Sequence, residues 1–160
     1  MHSRIFQLTK TKLEQMEHLD SSSLDYDHWF FHSVADYVAD DDNRANSIEW
    51  LKESLTEGNP HIEWCDDSFI LRDGFLIKSF SSRFECFKQQ LSQLSEESTL
   101  EKFAHGGISQ KMYNLSSFEE EEFGFYIYDE LGSIQTLDSF IRHAELDVHY
   151  YIGGTVDYHY

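Results

Sequence analysis

The residues best equipped for chemistry lie near the end of the chain. Val148, Tyr150 and Ile152 alternate with Asp147, His149 and Tyr151, and Val156, Tyr158 and Tyr160 alternate with Asp157 and His159. A three-residue loop at Gly153-Gly154-Thr155 would join these runs as a hairpin with both apolar sets on one face. That register sets His149 across from His159 and Tyr151 across from Asp157. Imidazoles beside carboxylates can hold a metal or exchange protons. Neither acid has the spacing of a catalytic motif, and a polar ladder on a half-exposed sheet produces the same alternation.

A second group falls within residues 24–40. On a helix from Leu24 to Asp40, residues Asp25, His28, His32, Asp36 and Asp40 share one stripe, with Trp29 among them. Tyr26, Phe30, Phe31, Val34, Ala35, Tyr37 and Val38 take the other half. Tryptophan favours burial and binding hot spots. Among acids it suggests a face for a cationic partner, unless another element covers it. His28 and His32 have metal-ligand spacing but lack the glutamate of a His-Glu-x-x-His helix.

The third group is the run Glu119, Glu120, Glu121 and Glu122, extended by Asp129 and Glu130. Such a run is a solvated loop or, more sharply, part of a phosphate mimic, because duplex DNA presents one charge per ~1.7 Å. Asp40, Asp41 and Asp42 add to the same field, as do Asp66 and Asp67.

These groups need a scaffold. Ser3 to Leu8 reads as a strand. Thr11 to Glu14 forms a capping-box pattern ahead of Leu13, Met16 and Leu19 at helical spacing. A helix from about Asn46 buries Ile48, Leu51 and Leu55, and Gly58-Asn59-Pro60 ends it. His61 to Cys65 is a strand. Ser68 to Arg72 and Phe75 to Phe80 read as a hairpin about Asp73-Gly74. Ser82 to Glu85 opens a helix with Phe84, Phe87, Leu91 and Leu94 on a stripe, and Ser95 to Ala104 is another. Phe123 to Asp129 is an interior strand, followed by a turn at Gly132, a short strand and a helix capped near Thr136. Strand–turn–strand–helix thus occurs twice, at 68–94 and 123–144. The expected architecture is α+β, with a mostly antiparallel sheet, N-terminal helices and a C-terminal β-hairpin. One domain over 1–160 accounts for the length.

Composition narrows the function. The chain has 30 Asp and Glu against 12 Lys and Arg, a formal charge of −18, yet is 40% hydrophobic and 16% aromatic. Residues 13–71 carry −13 and 112–160 carry −9, whereas 72–111 carry +1. Such a field repels nucleic acid and anionic membranes and speeds encounter with basic proteins. No apolar run spans a membrane, no signal-peptide pattern opens the chain, and Cys65 and Cys86 form no disulfide framework, so a cytoplasmic setting is expected. No phosphate loop, zinc spacing or nucleophile elbow is present. The expectation is a non-enzymatic inhibitor, without metal or cofactor, that occupies a basic surface of a nucleic-acid-binding enzyme, in the manner of DNA-mimic anti-restriction or anti-CRISPR proteins. Its surface residues would be Asp25, Trp29, Asp36, Asp40, Asp41, Asp42 and Glu119 to Glu122. Alternatives are an immunity protein against a nuclease toxin, and a metal-dependent hydrolase built on His149 and His159.

Overall fold

A computed structural model describes residues 1–106, 115 and 124–160. Its centre is a mixed sheet of seven strands: β1 (His2–Thr9), β2 (Tyr37–Asp40), β3 (Ile62–Cys65), β4 (Ser68–Leu71), β5 (Tyr126–Tyr128), β6 (Ile134–Thr136) and β7 (His149–His159). The strand order is β3-β4-β7-β1-β5-β6, and β2 pairs with the C-terminal half of β7. Among the described residues only β1 and β5 run parallel. The helices with described bounds are α1 (Phe30–Ser33), α2 (Arg44–Thr56), α3 (Phe75–Glu97), α4 (Leu100–Ala104) and α5 (Leu137–His143). The α+β class and the mostly antiparallel sheet are as the sequence predicts.

The C-terminal hairpin is not. Residues 149–159 form one continuous strand, and the glycine pair is a β-bulge within it. Phe6 pairs with Thr155 and Leu8 with Ile152, so Gly153 and Gly154 together face the single residue Gln7. The extra residue reverses which side chains point to which face. Tyr150 and Ile152 enter one core, with Phe6, Leu8 and Ile127, while Val156 and Tyr158 enter the other, with Ile5 and Tyr126. One alternating sequence therefore feeds two cores on opposite sides of the sheet. Gly154 is required by close approach, since a Cβ there would sit 2.0 Å from the Leu19 carbonyl oxygen. Arg44 satisfies the bulge from α2, donating from Nε to the Gly153 carbonyl at 2.7 Å and from Nη2 to that of Ile152 at 2.6 Å.

The first core lies under α2, α3 and α5, through Ile48, Leu51, Leu55, Phe75, Phe140 and Ile141. The α2 helix matches its apolar spacing. Thr136 caps α5, its hydroxyl accepting from the Ser139 amide at 3.1 Å. Asp73-Gly74 is not a hairpin turn. Gly74, at φ +89°, is the N-cap of α3, and Phe75 to Phe80 is helical. The hairpin turn is one connection earlier, at Asp66-Asp67, where Asp66 has φ +49°. Hairpin followed by helix still occurs twice, as β3-β4-α3 and β5-β6-α5.

Candidate functional site

The second core is closed by residues 13–43, which form a cover over the opposite face of the sheet. The long helix predicted from Leu24 to Asp40 does not form. In its place are the four-residue α1 and strand β2, after a 3-10 turn at Ser21–Ser23. The apolar positions that suggested a helix, Leu24, Phe30, Val34 and Ala35, are buried against Ile5, Tyr126, Val156 and Tyr158. Pairing with β7 draws Tyr37–Asp40 into the sheet, and the Asp36 amide donates to the His159 carbonyl at 2.8 Å. The helix expected around Leu13 to Leu19 shrinks to one 3-10 turn, Gln15–Glu17, with Glu14 and Glu17 forming its capping box. Met16 is exposed and Leu19 buried.

Polar clips fix the cover. Gln7 is a buried node on β1: its Oε1 accepts from the amides of Leu19 and Gly154, both at 2.8 Å, and its Nε2 donates to the Glu17 carbonyl at 3.2 Å. Asp20 caps the Ser21–Ser23 turn, accepting from the Ser22 hydroxyl at 2.7 Å and from the Ser23 hydroxyl and amide. Asp40 accepts from the Ser21 amide at 2.8 Å. The Ser22 and Ser23 hydroxyls hold the Asp20 carboxyl below the usual range, and hydrogen bonding from Ser21 does the same for Asp40. Both are therefore firmly ionised at neutral pH.

The cover holds nine Asp and Glu and no Lys or Arg between residues 13 and 43. One of the nine is matched by an arginine and one by a histidine. Asp41 lies 3.7 Å from Arg4 Nε, and its side chain is only 2% exposed. Asp36 pairs with His159 at 3.2 Å. Glu14, Glu17, Asp20, Asp25, Asp27, Asp40 and Asp42 have no ion-pair partner among the described residues and are exposed. Three aromatic residues stand exposed in the same layer. Trp29 is half-exposed with one edge against Phe30 and Tyr126; Tyr26 contacts Phe31 and donates to the Ser21 carbonyl; Tyr37 stacks on His159.

Asp25, Trp29, Asp36, Asp40 and Asp42 are each exposed in this segment, and the helix meant to align them is absent. Asp41 departs from the expected surface set. It is a structural anchor, accepting from Thr155 Oγ1 at 2.7 Å and the Asn43 amide at 3.0 Å. Burial opposes its charge; the Ser47 and Thr155 hydroxyls, the Asn43 amide and Arg4 outweigh that and hold its carboxyl below the usual range. Glu119, Glu120, Glu121 and Glu122 lie outside the described residues. Sequence reading missed Arg4 and Gln7. Arg4 joins the cover to the sheet, donating to Asp157 Oδ1 at 2.6 Å and Ser47 Oγ at 3.0 Å, with its guanidinium 5.3 Å from the Trp50 ring centroid. The signal for Arg4 was its phase, since it alternates with Phe6 and Leu8 on the face of β1 toward α2.

The histidine site predicted at the C-terminus is not assembled. His149 and His159 are ten residues apart on one strand, about 33 Å at the usual rise. His159 instead neighbours His2 at the sheet end, ring centroids 5.1 Å apart, and His2 faces Asp157 at 3.2 Å. His28 precedes α1, so it shares no helix face with His32, and its Nδ1 accepts from the Phe30 amide at 3.3 Å. Among the described residues no group of three His, Cys, Asp or Glu is placed to hold a metal ion, and no helix is long and apolar enough to cross a membrane. A cleft of about 450 Å³ between α2, α3 and α5 holds Asn59, Ser79, Arg83 and Asp138. Its polar groups serve one another: Asn59 Nδ2 donates to Ser79 Oγ at 2.8 Å, and Arg83 pairs with Asp138. The chain matches no protein-family model, no curated protein and no solved structure with which it was compared.

Proposed function

We propose that this protein is a non-enzymatic inhibitor whose acidic cover occupies a cationic, phosphate-binding surface of another protein. The observation that carries the reading is the set of seven exposed, unpaired carboxylates in residues 13–43, clipped to a rigid sheet and interspersed with Tyr26, Trp29 and Tyr37. Carboxylates steer and register Lys and Arg, and the exposed rings offer them cation–π faces. A restriction or CRISPR enzyme presents such a groove, and so does a nuclease toxin. The chemistry is shared, and the client's own nucleic acid is the natural competitor.

The test starts with the partner captured at low salt from the native host, purified and reconstituted with this chain. Duplex DNA or RNA should compete with the protein for it. Trp29→Ala, or Asp25→Lys with Asp42→Lys, should weaken the complex about tenfold or more. Raising salt should weaken it further through screening. Glutamine at Glu119 to Glu122 should slow association more than it hastens dissociation. Equal affinity of the Trp29 and Asp25/Asp42 variants with the parent would move the interface off the cover.

A further inference from the structure

The sheet ends in an open edge at β3, whose one strand neighbour among the described residues is β4. The two strands pair without a bulge, from Ile62 opposite Leu71 to Cys65 opposite Ser68. The Arg72 amide donates to the His61 carbonyl at 2.8 Å. Bonding alternates along an antiparallel pair, so His61, Glu63 and Cys65 turn their backbone groups inward to β4. Ile62 and Trp64 turn theirs outward, where no strand of the described residues meets them. Sheets usually blunt such an edge with a bulge, a proline or a charge. The one charged residue of β3 is Glu63, and Arg72 neutralises it at 2.6 Å.

Beside this edge lies a groove of about 410 Å³, with Trp64 on one side and Ala45, Ile48, Glu49 and Lys52 of α2 on the other. Trp64 Nε1 is buried and has no acceptor among the described residues. Asp66, at the turn that ends β3, also borders the groove and makes no ion pair among the described residues.

We infer that β3 is a docking edge for an extended peptide segment of a partner protein, which adds a strand to the sheet. The edge names its occupant. An extended backbone offers donors and acceptors at the spacing that Ile62 and Trp64 present, whereas a helix has spent its own internally. Residues of the added strand opposite Ile62 and Trp64 share their face and enter the groove beside α2. A glutamine or asparagine there gives Trp64 Nε1 the acceptor it lacks. Lysine or arginine at the end of the segment meets Asp66, and a chain of −18 favours a basic segment. The same charge opposes pairing with β3 of a second copy.

The probe is fluorescein-Lys-Val-Gln-Val-Gln-Val-Lys-amide, titrated into the full chain by fluorescence anisotropy. Saturable binding is expected, with Kd on the order of 100 μM or tighter. Methylating the backbone nitrogens of its Val and Gln residues keeps the charges and side chains but removes the donors, and should weaken binding about tenfold or more. With the parent peptide bound, the Ile62 and Trp64 amides should exchange with solvent at least about tenfold more slowly. The Glu63 and Cys65 amides, bonded inward, should be protected throughout. Ile62→Pro removes one outward donor and spares the inward ladder, and should also cost about tenfold; circular dichroism monitors its fold. Replacing the peptide's glutamines with alanine should weaken binding to the parent chain and not to Trp64→Phe. Trp29→Ala should leave the peptide affinity unchanged, so this inference and the inhibitor proposal fail separately. Equal binding of the methylated peptide would mean that charge alone holds it, and overturns the inference. So does unchanged exchange at Ile62 and Trp64, or a dimer of the free chain that protects those same amides.

Discussion

The two faces of the sheet are closed in different ways. On one, helices α2, α3 and α5 lay apolar side chains over Phe6, Leu8, Ile127 and Ile152. On the other, a chain segment with one short helix and two 3-10 turns inserts Leu19, Leu24, Phe30 and Val34 over Ile5, Tyr126 and Val156. The helical face is held by packing. The cover is short of regular backbone pairing, so sheet side chains supply the fixation: Gln7 hydrogen-bonds residues 17–19, and Arg4 stands 3.7 Å from Asp41 as an ion pair. The contrast shows how a segment with nine acids and no Lys or Arg stays ordered. Its few apolar anchors and buried clips supply the fixation, and the remaining carboxylates are left to the solvent.

The largest effect is expected where the two faces are tied together. Arg4→Met removes the cation that faces Asp41 and Asp157, and Asp41 is buried. Losing one partner of a buried ionic group costs about 3–5 kcal/mol. Urea denaturation should show that loss, with the midpoint moving down. A change below about 1 kcal/mol would mean that Arg4 is a surface residue in energetic terms. Next comes Gln7→Leu, which leaves the Leu19 and Gly154 amides without an acceptor, at about 2–3 kcal/mol in all. Amide exchange should then quicken in the cover around Leu19 while α2 keeps its protection. Uniform acceleration across both faces would contradict the idea that Gln7 clips the cover alone.

What could be read beforehand follows the same division. Elements whose signals are local were legible: β1, β3, β4, α2 and the Thr136 cap of α5 sit where their patterns place them. The cover was not legible, because its structure is set by residues far away in sequence. Phe30, Val34 and Val38 fit a helical stripe, but Val38 pairs with Tyr158, a contact that no local periodicity reveals. Gly153-Gly154 has the composition of a turn and acts as a bulge, a choice made by Gln7 and Leu19 on the neighbouring elements. Gly74 has the positive φ a turn would need and spends it on starting α3. Of the candidate surface, the residue types were legible and their alignment was not. Asp41 and Asp42 looked equivalent in the sequence and have different surroundings in the fold.

That pair gives the finest test of the comparison. Asp41→Asn keeps the shape but loses the charge that Arg4, Ser47 and Thr155 surround, at about 1–3 kcal/mol. Because the folded carboxyl is held below its unfolded value, its contribution is present above the ordinary carboxylate range and disappears as pH falls through the depressed value. The parent should therefore lose stability below about pH 4, and the Asp41→Asn variant should show a shallower acid limb. An equal slope would assign the acid sensitivity to other carboxylates. Asp42→Asn, one residue on, should change stability by no more than about 0.5 kcal/mol, because the side chain is exposed and makes no ion pair among the described residues. Its sign should be slightly stabilising at low salt, where removing one charge from a like-charged layer relieves repulsion, and should fade as salt rises. A destabilising Asp42→Asn would mean that the layer carries carboxylates for its own folding, and the argument that they are held for a partner would lose its footing.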